Sequence, residues 1–446
     1  MPASESRRNS SSRAWLARLS LLIAAASVTV LVVFAGRRSV AMLAVGLASA
    51  AVSLAAAFWF LAGRGVRRWL ALALLVASPV AVIVVFAFAG LLWVALVSAG
   101  AWLLAGTVAG AALAPDSAVW VMAEFPVPSR AAHPFLIMNP LSGGGKVAKF
   151  GLKEKAERLG AEVFLMDGHE LVDVRAVARA AVARGADLLG VAGGDGTQAL
   201  VAEVAADNGL PFLVISAGTR NHFALDLGLD RDDPAACLDA LANGVDLHVD
   251  LGVVGAKTFV NNASFGAYAE VVQSPAYRDD KLGSTLDMMP DLLSHHRGAS
   301  LEVRAGDVSL EDPQAVLVSN NPYETGDIAG LGRRCRLDTG SLGVVSVSVA
   351  NARQAAGLVR GSHWAGLRVL SAHDVVIDAD EPEIPVGVDG EAVLMPTPVR
   401  CMIRPAALRV RVPRDRPGIR PPKVRVDWAQ LRQLAAPGSR EVIPAA

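Results

Sequence analysis

The chain has 446 residues, 53% of them hydrophobic, and a formal net charge of zero. Its mean hydropathy of +0.41 is too high for an ordinary soluble protein and points to membrane segments. Residues 1–114 carry nine arginines, no lysine and a single acid, Glu5, so the remainder is acidic, which argues against nucleic acid as the main partner. The three cysteines, Cys237, Cys335 and Cys401, are scattered and form neither a disulfide framework nor a CxxC metal pattern.

Four apolar stretches open the chain: Leu19–Ala35, Val40–Leu61, Trp69–Phe88 and Leu91–Ala111. Each is near the about 20 residues a helix needs to span a bilayer. Arginines are concentrated before the first stretch (7, 8, 13, 18) and in the second loop (64, 67, 68), with fewer in the first loop (37, 38) and none in the third. With four spans this distribution places both ends of the membrane region on the cytoplasmic side. The expectation is a multi-pass membrane anchor over 1–114, a linker over 115–133 and cytoplasmic catalytic domains.

From Pro134 strands and helices alternate. Predicted strands are Phe135–Asn139, Glu162–Met166, Asp187–Val191 and Phe212–Ser216; predicted helices are Lys146–Leu159, Val172–Ala183 and Ala199–Ala206, with a further one from the Asp233-Pro234 cap to Gly244. This pattern argues a Rossmann-like parallel α/β domain over 134–245. After Gly244 short β-rich runs dominate: Asp246–Val254, Thr258–Ala263, Ser300–Val303, Ala315–Ser319, Leu342–Val349, Asp374–Ile377 and Ala407–Val412. Only two helical stretches, Lys281–His296 and Ala352–Gly361, interrupt them, so 246–413 reads as an antiparallel β-sandwich domain. The tail, 414–446, is proline-rich and holds one short helix, Trp428–Leu434.

Three loops carry chemistry. Gly193-Gly194-Asp195-Gly196-Thr197 lies between a strand and a helix, where open α/β sheets bind ligands. Its glycines let backbone N–H groups approach phosphate. Asp195 suits a nucleotide-borne Mg²⁺ or a hydroxyl that must lose a proton; the competing reading is a tight turn with Asp195 as helix N-cap. Asn139-Pro140-Leu141-Ser142-Gly143-Gly144-Gly145-Lys146 places three glycines and a lysine at a helix start, though Pro140 and Val147 exclude a P-loop. Gly218-Thr219-Arg220-Asn221-His222 adds two polar side chains, a cation for phosphate oxygens and a loop histidine. Late in the β-rich half, Asp389-Gly390-Glu391 becomes a site only if the fold returns it to Asp195. The basic run Arg409, Arg411, Arg414, Arg416, Arg420, Lys423, Arg425 reads as a solvated edge, or as an anionic-lipid contact if it faces a bilayer.

Together these motifs resemble the diacylglycerol kinase catalytic-domain family of lipid kinases, which includes sphingosine and ceramide kinases. The carriers are NPLSGGGK (139–146), GGDGT (193–197), GTRNHFA (218–224), VDLGVVGAKTFVNNASFGAYAEVV (249–272) and VDGE (388–391), over about 134–413. The resemblance implies ATP in an interdomain cleft, assisted by Mg²⁺, with a lipid hydroxyl attacking the γ-phosphate. It makes Asp195 and Glu391 the catalytic acids. It gives Asn139, Ser142, Gly143, Gly144, Gly145, Lys146, Gly193, Gly194, Gly196, Thr197, Gly218, Thr219, Arg220 and Asn221 to the nucleotide. It gives Asp195, Asp250 and Asp338 to metal. The family often has Leu-Asn-Glu after GGDGT and G-T-G-N-D in the third loop; here Gln198-Ala199-Leu200, Arg220 and His222 depart from that. The rival readings are an NAD kinase-like enzyme, which shares GGDGT, and a lipid- or nucleotide-binding pseudokinase. A homodimer is compatible with the sequence.

Overall fold

The structure is a computed structural model that describes residues 2–35, 38–63, 65–114, 121–127, 129–167, 172–267, 269, 299–324, 333–348, 367–419 and 426–436. The chain divides into two units, Met1–Ser117 with Pro421–Ala446, and Ala118–Arg420.

The first unit opens with the helices α1 (Pro2–Ala35), α2 (Arg38–Ala62), α3 (Val66–Phe88) and α4 (Leu92–Leu113). Among the described residues, three helical segments, Ser12–Phe34, Val66–Phe88 and Leu92–Leu113, are long and apolar enough to cross a membrane, and α2 carries the apolar run Ala44–Phe60 inside its 25 residues. α1 pairs with α4 through small residues, and the hydroxyls of Ser20 and Ser27 donate to the carbonyls of Ala105 (2.8 Å) and Ser98 (3.0 Å). Small side chains let helix backbones approach where no hydrophobic force separates helix from lipid. Arg13 donates to the last carbonyls of α4, at Ala112 (3.0 Å) and Ala114 (2.9 Å).

In the second unit the strand β1 (Phe125–Pro126) precedes four parallel strands: β2 (Pro134–Met138), β3 (Glu162–Leu165), β4 (Leu188–Ala192) and β5 (Pro211–Ile215). β2, β4 and β5 are buried at every position, as unbroken apolar runs in a sheet covered on both faces require. Between them lie α5 (Lys146–Lys149), α6 (Leu152–Arg158), α7 (Val174–Ala183) and α8 (Asp195–Asp207), and after β5 come α9 (His222–Asp226), a 3₁₀ turn (Pro234–Asp239) and α10 (Ala240–Asn243). The predicted helix over 146–159 is two helices, because Gly151 takes a left-handed conformation (φ 55°) between them.

The β-rich half contributes β6 (Gly244–Val254), β7 (Lys257–Phe259), β8 (Asn262–Gly266), β9 (Leu301–Ala305), β10 (Val308–Glu311), β11 (Ala315–Asn320), β12 (Leu342–Val347), β13 (Leu367–Ala372), β14 (Asp374–Ala379), β15 (Glu383–Val388), β16 (Glu391–Pro396) and β17 (Val399–Pro413). One antiparallel sheet runs β13-β12-β11-β8-β15-β16. It shares an apolar core with β9, β10, β14 and the first part of β17, forming the expected sandwich. The predicted strand over 258–263 is two strands, β7 and β8, which belong to different sheets.

The two halves are not cleanly divided at residue 245. β17 lies between β14 and β6 over its first residues, then pairs in parallel with β5 at Arg409, Val410 and Arg411. One large sheet therefore runs through both halves, and Leu408, Val410 and Val412 complete the core of the α/β half. The predicted helices over 281–296 and 352–361 lie outside the described residues, as do Arg420, Lys423 and Arg425. The other four arginines of the basic run have protein partners: Arg409 and Arg411 face Asp246, Arg414 Asn243, and Arg416 Glu124.

The last described helix, α11 (Trp428–Ala435), belongs to the first unit. The carboxylate of Asp427 accepts from Ala429 (2.8 Å) and Gln430 (3.2 Å), capping it. Trp428 meets Trp102 edge to face at 5.6 Å, and Arg18 donates to the carbonyl of Ala435 (2.8 Å).

Candidate active site

A cleft of about 440 Å³ lies at the carboxyl ends of β2, β4 and β5, closed on the other side by the turns before β8 and β16. It is lined from the first loop by Asn139, Leu141, Ser142 and Gly143; from the second by Gly194, Asp195, Gly196 and Thr197; and from the third by Gly218, Thr219, Arg220, Asn221 and His222. The β-rich half adds Asn261, Asn262, Ser264, Asp389, Gly390 and Glu391.

The first loop needs its glycine at 143: φ is 58°, and a Cβ there would stand 2.2 Å from the carbonyl oxygen of Ala217. That close approach packs the first loop against the third. Asn139 accepts from the backbone of Leu141 (3.0 Å), shaping the turn. Lys146 does not line the cleft; its ammonium donates to the carbonyl of Arg231 (2.7 Å). Burial and the neighbouring Arg231 hold its pKa below the usual lysine value. Gly144 and Gly145 likewise stand outside the lining, and Gly193 lies beneath it, its carbonyl accepting from Gln198 (3.1 Å).

Asp195 is the first residue of α8 rather than its cap, which is Gly194. Its carboxylate instead reaches across to the third loop, accepting from the backbone of His222 (3.2 Å) and Phe223 (3.3 Å) at the start of α9. The N-cap reading of Asp195 is thereby replaced: the acid bridges two loops and keeps lone pairs facing the cleft. Burial lowers the pKa of His222 against the opposing pull of Asp195. Asn221 adopts the left-handed conformation (φ 48°) and is 1% exposed. Both its amide atoms are buried without a protein partner. Buried amide atoms without a partner are rare, and these belong to a residue in the wall of the cleft.

The acids of the β-rich half return to the same place. A Cβ built on Gly196 would stand 2.7 Å from a carboxylate oxygen of Glu391. A side chain at 196 would push the Glu391 carboxylate aside from this position next to Asp195. Asp389, at the left-handed turn position (φ 47°), accepts from the backbone of Val260 (2.8 Å), Asn261 (2.8 Å) and Asn262 (3.0 Å). Burial raises its pKa, to about 7, against those three donors, and the charge of Asp195 adds to the rise. Asp389, Asn261, Asn262 and Ser264 are lining residues that the motif reading left unassigned; the Asn-Asn pair inside the 249–272 stretch was the available signal.

Of the three metal candidates, Asp195 lines the cleft, whereas Asp250 and Asp338, the pair that the resemblance sets around a structural Mg²⁺, lie on adjoining segments, the backbone N–H of Asp250 donating to the carbonyl of Leu337 (2.7 Å). Among the described residues, no group of three or more acids, histidines or cysteines is placed to hold a metal ion. Asp250 is 1% exposed, and its two oxygens accept from Gly340 and Ala406, each at 2.7 Å. Asp338 is held by Arg336 at 2.7 and 2.8 Å. Those carboxylates serve the fold here, and they do not fit a metal site as they stand. Asp195 and Glu391 do fit a cation that brings most of its ligands on phosphate, since Mg²⁺ in such sites needs only one or two protein carboxylates.

The sequence pattern of the diacylglycerol kinase catalytic domain matches residues 133–254. A diacylglycerol kinase of Mycobacterium tuberculosis is 27% identical over 295 residues, 62% of this chain and 94% of that one. A probable lipid kinase, YegS-like, of Pseudomonas aeruginosa is 30% identical over 282 residues, 60% of this chain and 90% of its own length. In fold, residues of the second unit resemble the crystal structure of a Bacillus anthracis protein assigned to the diacylglycerol kinases, with a TM-score of 0.51 at 19% identity, covering 63% of this chain and 97% of that one. With the glycine loops, the facing acids and the sandwich all accounted for, the chain belongs to the diacylglycerol kinase catalytic-domain family of lipid kinases.

Proposed function

We propose that this chain is a membrane-anchored, ATP-dependent lipid kinase that transfers the γ-phosphate to the hydroxyl of diacylglycerol or a related lipid on the cytoplasmic side. The observation that carries the reading is the approach of Glu391 to Gly196, which sets two acids on facing walls of one cleft. The backbone of the Ser142–Gly143 turn and of Gly194–Thr197 offers N–H donors for phosphate oxygens, and Asn221 offers its open amide to the nucleotide. Glu391, exposed at the β-rich wall, is the base that takes the lipid hydroxyl proton. Asp195, fixed by two backbone donors, and Glu391 would hold Mg²⁺, which neutralises charge on the transferring phosphoryl group when bound. The remaining work is positioning, as in other phosphoryl transfers. Three apolar helices of spanning length favour an acceptor dissolved in the bilayer.

The test is transfer from γ-labelled ATP with Mg²⁺ into total membrane lipid, wild type beside Asp195→Asn. A labelled lipid with wild type and a loss of at least about a hundredfold in the variant supports the reading. No labelled lipid from a folded protein that binds ATP, or phosphorylation of NAD instead, overturns it.

A further inference from the structure

Behind the cleft a guanidinium is wholly enclosed. Arg334 is 0% exposed and is the largest fully buried side chain among the described residues. Its Nε donates to Asp226 (2.7 Å), and its backbone N–H to the same carboxylate (3.2 Å). Its Nη1 donates to the carbonyls of Val260 (2.7 Å), Asn261 (3.2 Å) and Asn320 (2.8 Å), and its Nη2 to the side chain of Asn261 (2.6 Å). The ring of Tyr323 lies 5.7 Å away, face on.

These partners come from both walls. Asp226 ends α9, whose first two N–H groups hold the carboxylate of Asp195. Val260, Asn261 and Asn262 form the turn whose N–H groups hold Asp389, two residues before Glu391. One side chain is thus a single link from each acid-bearing turn. A planar fork with five donors can do this and an ammonium cannot. The pair also explains why charge is tolerated there: a buried ion costs much unless it is paired and its remaining hydrogens are taken.

We propose that Arg334 is a positioning residue that fixes the span of the cleft, holding the Asp195 wall at a set distance from the Glu391 wall. This rests on the kinase reading for its activity readout, and on the two hydrogen-bond sets alone for its structural one.

The experiment uses the full chain in detergent. Arg334→Met leaves Asp226 charged, buried and alone, so the double variant Asp226→Leu/Arg334→Met, which removes both charges, is measured beside it. The double variant is expected to melt within about 5 °C of wild type, since paired buried ions can be replaced by apolar groups. Its kcat for lipid should fall at least about tenfold while its KM for ATP stays within about threefold, because the glycine loops on the α/β wall are untouched. Amide exchange should rise together in 222–227 and 260–262. Arg334→Lys, which keeps the ion pair and loses the forked contacts, should lie between. Wild-type kcat in a folded double variant, or loosening of only one of the two segments, overturns the proposal. If wild type phosphorylates no lipid, the kinase reading fails by itself, and the exchange result still decides the role of Arg334.

Discussion

A methyl group at Gly196 is the smallest change that separates the two acids. It would meet the Glu391 carboxylate at 2.7 Å, while the backbone there is otherwise unremarkable for alanine. Gly196→Ala should therefore lower kcat/KM for lipid phosphorylation by about tenfold or more with little change in melting temperature, since a flexible acid rather than a packed core must give way. Asp389 makes a pH prediction. Its folded pKa, about 7, stands above the unfolded value near 4. The folded state keeps a proton that the unfolded state has lost, so this contribution to stability is present below pH 4 and is lost as pH rises through 7. Melting temperatures between pH 5 and 8 should fall less steeply in Asp389→Asn than in wild type. Two of the three cysteines are core residues and the third is held by a carboxylate. Cys237 and Cys401 are buried, and burial with the adjoining Glu324 pushes Cys335 up to about 12. Native protein at pH 8 should resist iodoacetamide over an hour that suffices for the denatured chain.

At the scale of elements, the loops were legible and the pairings were not. The strand cores of the α/β half fall within a residue or two of expectation because apolar runs bounded by glycine and proline leave little choice. The helix expected over 146–159 breaks at Gly151, whose left-handed conformation turns the chain. Strands β10, β13, β15 and β16 escaped notice: β10 is short, β16 is half-exposed, β15 is interrupted by Pro385 and Gly387, and strand patterns depend on partners far away in sequence. The same holds for Glu391, which sits at the first residue of an edge strand with nothing local to mark it. The sequence could name the DGE motif by resemblance, but only the β8–β15 pairing and the Asp389 turn bring it to the cleft. Arg334 carried no local signal at all. Asp246 and Arg411, both nearly buried, pair across β6 and β17 at 2.5 and 3.1 Å. Arg411→Ala leaves that carboxylate with only the distant, half-exposed Arg409. A loss of about 3–5 kcal/mol is expected, read as a melting shift far larger than for Arg404→Ala, whose pair with Asp207 is at the surface.

The whole molecule turns on β17. Contacts among residues near in sequence could suggest two domains with a boundary at 245, since βαβ alternation stops there. The last long strand crosses that boundary by pairing with β14, β6 and β5 in turn, and contributes to both apolar cores. Such pairing is invisible to local pattern because it joins residues about 200 apart, such as Arg409 and Pro211. The second unit should accordingly fold only as a whole. A chain ending at residue 398 loses Val399, Cys401, Leu408, Val410 and Val412 together, leaving β5 paired only with β4 and β14 only with β9. It should be degraded by trypsin across the α/β half as readily as across the sandwich. A chain ending at residue 425 loses α11, which belongs to the first unit, so the second unit should keep its protease-resistant core. If the shorter chain retained a stable 134–245 fragment, the α/β half would be an independent domain, and the continuity of the large sheet would be incidental to its stability.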